Sequence, residues 1–186
     1  MFDIATISPD VLERAKKIKV FLMDVDGTIT DGGVCLLALP NDGGIAELKV
    51  FNSLDGVGIK LAADMGIRTG FITGRKSPAV LQRAHENKVE FVYLGQATKV
   101  AAFEEILALA DVTADEVAYM GDDLPDMSVA SRAGLAIAVA NAVPELKAIC
   151  HYVTETTGGR GTAREVVELI LKAQGRWEEA IPLARA

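Results

Sequence analysis

The chain has 186 residues, 50% of them hydrophobic and 24% charged, which suits one compact domain and excludes a disordered segment, a fibre or a repeat array. A net charge of −7 excludes the basic stripe that nucleic acid requires, and the N-terminal MFDIATISPDVLERAKKIK holds no apolar run for a secretory signal or a spanning helix. A cytoplasmic protein with no nucleic-acid or membrane partner is therefore expected.

Short apolar runs alternate with amphipathic stretches, the pattern of an α/β, Rossmann-like parallel sheet sandwiched by helices. Ser8 caps a first helix with Pro9 in its first turn, and a first strand, Lys19 to Met23, ends on Asp24. Gly33 to Leu39 and Ile45 to Phe51 flank Pro40-Asn41-Asp42-Gly43-Gly44, residues that accept positive φ, so a protruding β-hairpin is predicted over about 33–51. Cys35, Leu36, Leu37 and Leu39 give that hairpin apolar side chains on both faces, as an interface needs.

A helix from Asp55 to Met65 stops at Gly66, and the strand Ile67 to Ile72 runs into Thr73-Gly74-Arg75. Ser77-Pro78 opens a helix to Asn87, followed by the strand Val89 to Leu94 and a helix from Thr98 to Ala110. The strand Val117 to Met120 ends at Gly121-Asp122-Asp123, and Leu124 to Ala133 reads as helix. Leu135 to Val139 is a strand, Val143 to Ala148 a short helix, Tyr152-Val153 a short strand, and Thr162 to Gln174 the last helix before a tail at 175–186. One domain over 1–186 accommodates all of these.

Ligands of open parallel sheets bind beyond the carboxyl ends of the strands, and the chemistry-bearing residues collect there. Asp24-Val25-Asp26-Gly27-Thr28 follows the first strand, Thr73 the second, and Asp122, Asp123 and Asp126 the fourth, with Lys99 in the first turn of a helix on the same edge. A carboxylate attacking a phosphate dianion is opposed by like charge, so a hard cation and a basic side chain must offset the repulsion. Asp24 and Asp122 suit a magnesium ion, and Lys99 suits the fixed positive charge. A poor alkoxide leaving group needs a proton, a task for Asp26, which can afterwards deprotonate the water that opens an aspartyl phosphate. His85 and His151 lack ligand spacing or a partner carboxylate and are read as structural, and Cys35 and Cys150 are read as buried reduced thiols.

DVDGT, ITGR, GQATK and GDDLPD, in this order, resemble the motifs of the haloacid dehalogenase superfamily of phosphatases. The resemblance implies Asp24 as nucleophile and metal ligand, and Asp26 as acid/base that also ligates through its backbone carbonyl. It implies Asp122 on the metal, Thr73, Gly74 and Lys99 on the phosphate, and Asp123 and Asp126 in support. FNSLDGVGIKL, ITGRKSPAV and GGRGTAREVVELILKAQG are similar, within that superfamily, to the 3-deoxy-D-manno-octulosonate 8-phosphate phosphatases of lipopolysaccharide precursor synthesis. That likeness implies Mg2+ as cofactor, a sugar-acid phosphate as substrate, no cap domain, and a homotetramer in which a neighbouring subunit's hairpin and tail close the site. It also makes Asn52 and Asp55 substrate-binding candidates. Leu54 stands where this family carries a basic residue, leaving Arg75 and Arg160 as candidate partners for a sugar-acid carboxylate. A phosphatase for a nine-carbon keto-deoxy acid 9-phosphate, a phosphoacceptor switch and a non-catalytic assembly protein remain as alternatives.

Overall fold

A computed structural model describes residues 4–41 and 43–184. Asp42 of the predicted turn and the last two residues of the tail lie outside the described residues.

The central sheet has strands β1 (Val20–Met23), β4 (Arg68–Thr73), β5 (Phe91–Leu94), β6 (Val117–Gly121), β7 (Leu135–Ala138) and β8 (Tyr152–Val153). Their order is β5-β4-β1-β6-β7-β8, with every pairing parallel. Each residue of β1 is buried, as a strand covered by helices on both faces requires, so its sequence VFLM is continuously apolar and does not alternate. The chain leaves β1 for β4 on one side and later returns to β6 on the other, which opens a crevice at the carboxyl end of β1.

On one face α7 (Thr162–Ala173) packs against α1 (Pro9–Lys16) and α2 (Ser53–Asp64); elsewhere α4 (Lys99–Ala110) packs on β4 and on α5 (Met127–Ala130), which meets α6 (Pro144–Ile149). Further helices are α3 (Pro78–Glu86) and α8 (Trp177–Leu183). Ser8 accepts the Val11 N–H and Pro9 opens α1, as the capping pattern predicts. No helix among the described residues is long and apolar enough to cross a membrane.

The hairpin is a separate antiparallel pair, β2 (Cys35–Ala38) with β3 (Ile45–Leu48), in the register Cys35↔Leu48 and Leu37↔Ala46. Together with α2 it occupies the stretch between β1 and β4 among the described residues, where an inserted cap domain would otherwise sit.

Three expectations need correction. Leu124 to Ala133 is not one helix but a 3-10 turn, Leu124–Asp126, followed by the single α-turn of α5, because Asp126 folds its carboxylate back onto the N–H groups of Asp122 and Asp123. Cys35 is exposed, since β2 stands off the domain, and Cys150 is only half-buried, its thiol pushed up to about 12 by burial. The tail contains a helix, α8, anchored by buried Ala180 and by Trp177, whose ring lies 5.1 Å from the Arg164 guanidinium. Gln174 and Arg176, just before α8, donate to the carbonyls of Ile18 and Met65, so the tail packs at the amino end of the sheet.

Candidate active site

Asp24 follows β1 directly, and its N–H bonds to Met120 O at 2.9 Å, which continues the β1–β6 pairing and holds the side chain over the crevice. Asp24, Asp26, Thr73, Gly74, Arg75, Lys99, Asp122, Asp123 and Asp126 line one cleft of about 410 Å³. A larger open depression of about 930 Å³ at the other end of the sheet is bounded by Lys16, Lys19, Asp115 and Glu116, charged groups that face solvent or are half-buried. Buried ionisable groups, and not cavity size, mark the first cleft as the site.

Lys99 opens α4 and is almost wholly buried, its Nζ 2.5 Å from Asp24 Oδ1 and 2.7 Å from Asp126 Oδ1. Burial disfavours its charge, but the two carboxylates prevail and raise its pKa, so it is a fixed cation. Asp126 Oδ1 also accepts the hydroxyl of fully buried Tyr119 at 2.6 Å, while Oδ2 accepts the N–H groups of Asp122 and Asp123 at 2.9 and 3.1 Å. Both oxygens of Asp126 are thereby occupied, which makes it a brace.

Asp122 differs. Thr28 donates to its Oδ1 at 2.9 Å, and Gly27 lies so near that a Cβ there would stand 2.1 Å from Oδ2. Gly27 also has φ +93°, a conformation glycine adopts at no steric cost, which accounts for the glycine in DVDGT. The loop is held from the other side by the segment from Gly158 to Gly161: Gly159 N–H bonds to Thr28 O at 2.9 Å, and a Cβ on Gly158 would meet Gly27 O at 1.8 Å.

Burial raises the pKa of Asp24, opposed by Lys99 and reinforced by Asp126. Burial raises that of Asp122 as well, opposed by the Thr28 hydroxyl and reinforced by Asp126. Oxygens of Asp24, Asp122 and Asp126 lie within 4.8 Å of one another. Fully ionised, the three carboxylates and the one ammonium leave two formal negative charges, the charge a divalent cation cancels. With Asp126 saturated, Asp24 and Asp122 are the carboxylates with oxygen to offer, and an all-oxygen donor set suits magnesium.

Asp26 sits at the rim, its Oδ1 bound by Lys49 and its Oδ2 buried without a protein partner among the described residues. Thr73 is buried and its hydroxyl accepts the Arg75 N–H at 3.2 Å. Arg75 pairs with Glu47 at 2.7 Å. Sequence reasoning missed Lys49 and Glu47, although Glu47-Leu48-Lys49-Val50 alternates charged and apolar residues and so sends two charges to one face of the strand.

Three candidates are not brought into this cleft. Asn52 caps α2, accepting the Leu54 N–H at 2.8 Å and donating to Gly159 O at 3.3 Å. Asp55 is buried beside the start of α7, where its carboxylate accepts the N–H groups of Gly161 and Ala163 at 3.1 and 2.7 Å. Arg160 borders a neighbouring recess with Asp31, Phe51, Asn52 and Gly159.

A family model described as haloacid dehalogenase-like hydrolase matches residues 80–166. The 3-deoxy-D-manno-octulosonate 8-phosphate phosphatase KdsC of Salmonella typhimurium is 42% identical over 174 residues, 94% of this chain and 90% of that protein. A probable YrbI family phosphatase from Pseudomonas syringae superposes with TM-score 0.89 at 41% identity, over 96% of this chain and 99% of the other. The 3-deoxy-D-manno-octulosonate 8-phosphate phosphatase of Moraxella catarrhalis, crystallised with a magnesium ion, a phosphate ion and KDO, superposes with TM-score 0.86 at 38% identity, over 94% of this chain and 97% of the other.

Proposed function

The chain belongs to the 3-deoxy-D-manno-octulosonate 8-phosphate phosphatases of the haloacid dehalogenase-like hydrolases, and we propose on that premise that Asp24 is its nucleophile and Asp26 its acid/base. It is a magnesium-dependent phosphomonoester hydrolase whose substrate is 3-deoxy-D-manno-octulosonate 8-phosphate. The observation that carries this reading is the joint placement of Asp24, Asp26, Lys99 and Asp122 in one cleft at the carboxyl end of β1.

Asp24 attacks phosphorus in line with the ester oxygen, so an oxygen–phosphorus bond forms to the carboxylate as the bond to the sugar oxygen breaks. Asp26 gives its proton to that departing oxygen, and the sugar acid leaves as an alcohol. Asp26, now a carboxylate, takes a proton from water, whose oxygen attacks the aspartyl phosphate and releases inorganic phosphate with Asp24 restored. Lys99 keeps Asp24 aimed and offsets charge on the phosphoryl oxygens. Thr73 and Gly74 support those oxygens from the end of β4, and Arg75 meets the sugar acid. Asp24, Asp122 and the Asp26 carbonyl would hold the magnesium ion, which supplies charge neutralisation between carboxylate and phosphate.

The enzyme acts in the cytoplasm as a homotetramer, which would cover the apolar hairpin and close an otherwise uncapped cleft. Each subunit's own α8 packs at the opposite end of the sheet, so a tail would serve a neighbour's cleft. Leu54, in place of a basic residue, favours one second reading, hydrolysis of a nine-carbon keto-deoxy acid 9-phosphate.

Phosphate release from the two sugar-acid phosphates, side by side with and without Mg2+, tests the function. Asp24→Asn removes at least about a thousandfold of the turnover while the protein stays folded. Near wild-type rates in that variant would exclude the covalent route.

A further inference from the structure

We propose that Lys49 is the positioning residue of Asp26, and that the hairpin thereby acts on proton transfer within its own subunit. The inference rests on the reading of Asp26 as acid/base and adds a residue on which that reading does not depend.

Lys49 follows β3 directly, and the pleat turns Glu47 and Lys49 toward the cleft while Leu48 and Val50 face away, 51% and 69% exposed. The Lys49 side chain is only 2% exposed, and its ammonium lies between the carboxylates of Asp26 and, at 3.5 Å, Glu47. Glu47 in turn holds the Arg75 guanidinium. A lysine seldom gives up its hydration this fully without partners, and both of its partners belong to the rim of the active site.

The consequence is geometric. Asp26 stands on a loop three residues beyond the end of β1, where a short carboxylate has several staggered rotamers open to it. Binding of Oδ1 by Lys49 selects one of them, and it leaves Oδ2 with no protein partner among the described residues. Misplacement of a reacting group by about 1 Å can cost about a hundredfold in rate. Through Glu47 the same strand also sets Arg75, so one hairpin edge aligns the acid and the cation at the substrate's sugar end.

The test compares two leaving groups. A sugar phosphate departs as a strongly basic alkoxide and needs the acid, whereas p-nitrophenyl phosphate departs as a stable phenolate and does not. Lys49→Met is expected to lower kcat/KM, which covers only the steps through loss of the leaving group and so leaves out the water activation both substrates share, about 10- to 100-fold on the sugar-acid phosphate and less than about threefold on p-nitrophenyl phosphate. Lys49→Arg restores part of the loss. In an Asp26→Asn background, Lys49→Met costs nothing further on the sugar-acid phosphate. Equal losses on the two substrates, no loss on either, or a full additional loss in the Asp26→Asn background would overturn the proposal. Circular dichroism confirms folding, and Lys49→Gln carries the same comparison if Lys49→Met does not fold. Asp26→Asn alone separates the two ideas: if it lowers kcat/KM equally on both substrates, the acid role of Asp26 falls and takes the inference with it. If it is leaving-group selective and the Lys49 variants are not, only the role of Lys49 falls.

Discussion

The Tyr119 hydroxyl donates a 2.6 Å hydrogen bond to Asp126 Oδ1, the oxygen that Lys99 reaches from the other side at 2.7 Å. The phenol is fully buried beneath the cleft, and burial together with Asp126 and Asp24 pushes its pKa well above the ordinary value, so it is a permanent donor. A chain of contacts therefore runs from the core through Tyr119, Asp126 and Lys99 to Asp24.

Tyr119→Phe removes the donor at its source. With one fewer partner on a buried carboxylate, stability falls by about 1–2 kcal/mol, read as a lower denaturation midpoint in urea. Lys99 loses part of its fixed placement, and turnover falls several-fold with the magnesium requirement unchanged.

Gly27→Ala joins two costs, a Cβ 2.1 Å from Asp122 Oδ2 and a positive φ. The expected result is a loss of about 1–3 kcal/mol from the backbone conformation and a displaced Asp122. Asp122→Asn isolates the second effect: the Mg2+ concentration for half-maximal activity rises about tenfold or more, while folding is retained. Titration of activity with MgCl2 after chelation reads both variants.

His151 gives the fold a pH dependence of its own. Its Nδ1 accepts the Ala136 N–H at 2.9 Å, and burial, reinforced by Arg14 and opposed by Asp10, lowers its pKa below the ordinary 6.5. A base depressed in the folded state is protonated first in the unfolded chain. Its contribution is therefore whole above about pH 6.5 and is lost as pH falls toward the folded pKa. Asp24 and Asp122, whose carboxyls burial raises, add stability with acid in the same window but are common to both proteins, so the test is the difference: between pH 7.5 and 5.5 the urea midpoint of the wild type should move in the acid-destabilised direction relative to that of His151→Asn.

The hairpin carries Leu36, Leu37, Ile45, Leu48 and Val50 at 51–70% exposure, an apolar surface that water disfavours. Leu36→Lys with Ile45→Lys should lower the mass seen by light scattering without changing the far-ultraviolet circular dichroism. A wild-type protein that is fully active as a monomer would end the tetramer reading.

Lys99, Thr73, Asp24 and Asp122 are legible in the sequence because each stands at the end of an apolar run or the start of an amphipathic one, and parallel strands deliver such ends to a common edge. Asn52 and Asp55 are legible only as polar residues inside a matching segment. Their hydrogen bonds to the Gly159–Ala163 region join positions more than a hundred residues apart in the chain, which no local pattern encodes. Cys35 misleads for the same reason, since a strand's burial depends on what packs over it.

The succession of strands and helices, the doubly covered sheet and the gathering of Asp24, Asp26 and Asp122 at one sheet edge follow from the sequence by itself, because they depend on short-range periodicity and on residues adjacent to strand ends. Only the tertiary structure decided that Asp126 is saturated while Asp122 has oxygen to offer, that Asp55 caps a distant helix, and that Lys49 reaches Asp26 from the hairpin. The physical reason is that a carboxylate's role is set by which donors surround it, and those donors arrive from elements far away in the chain.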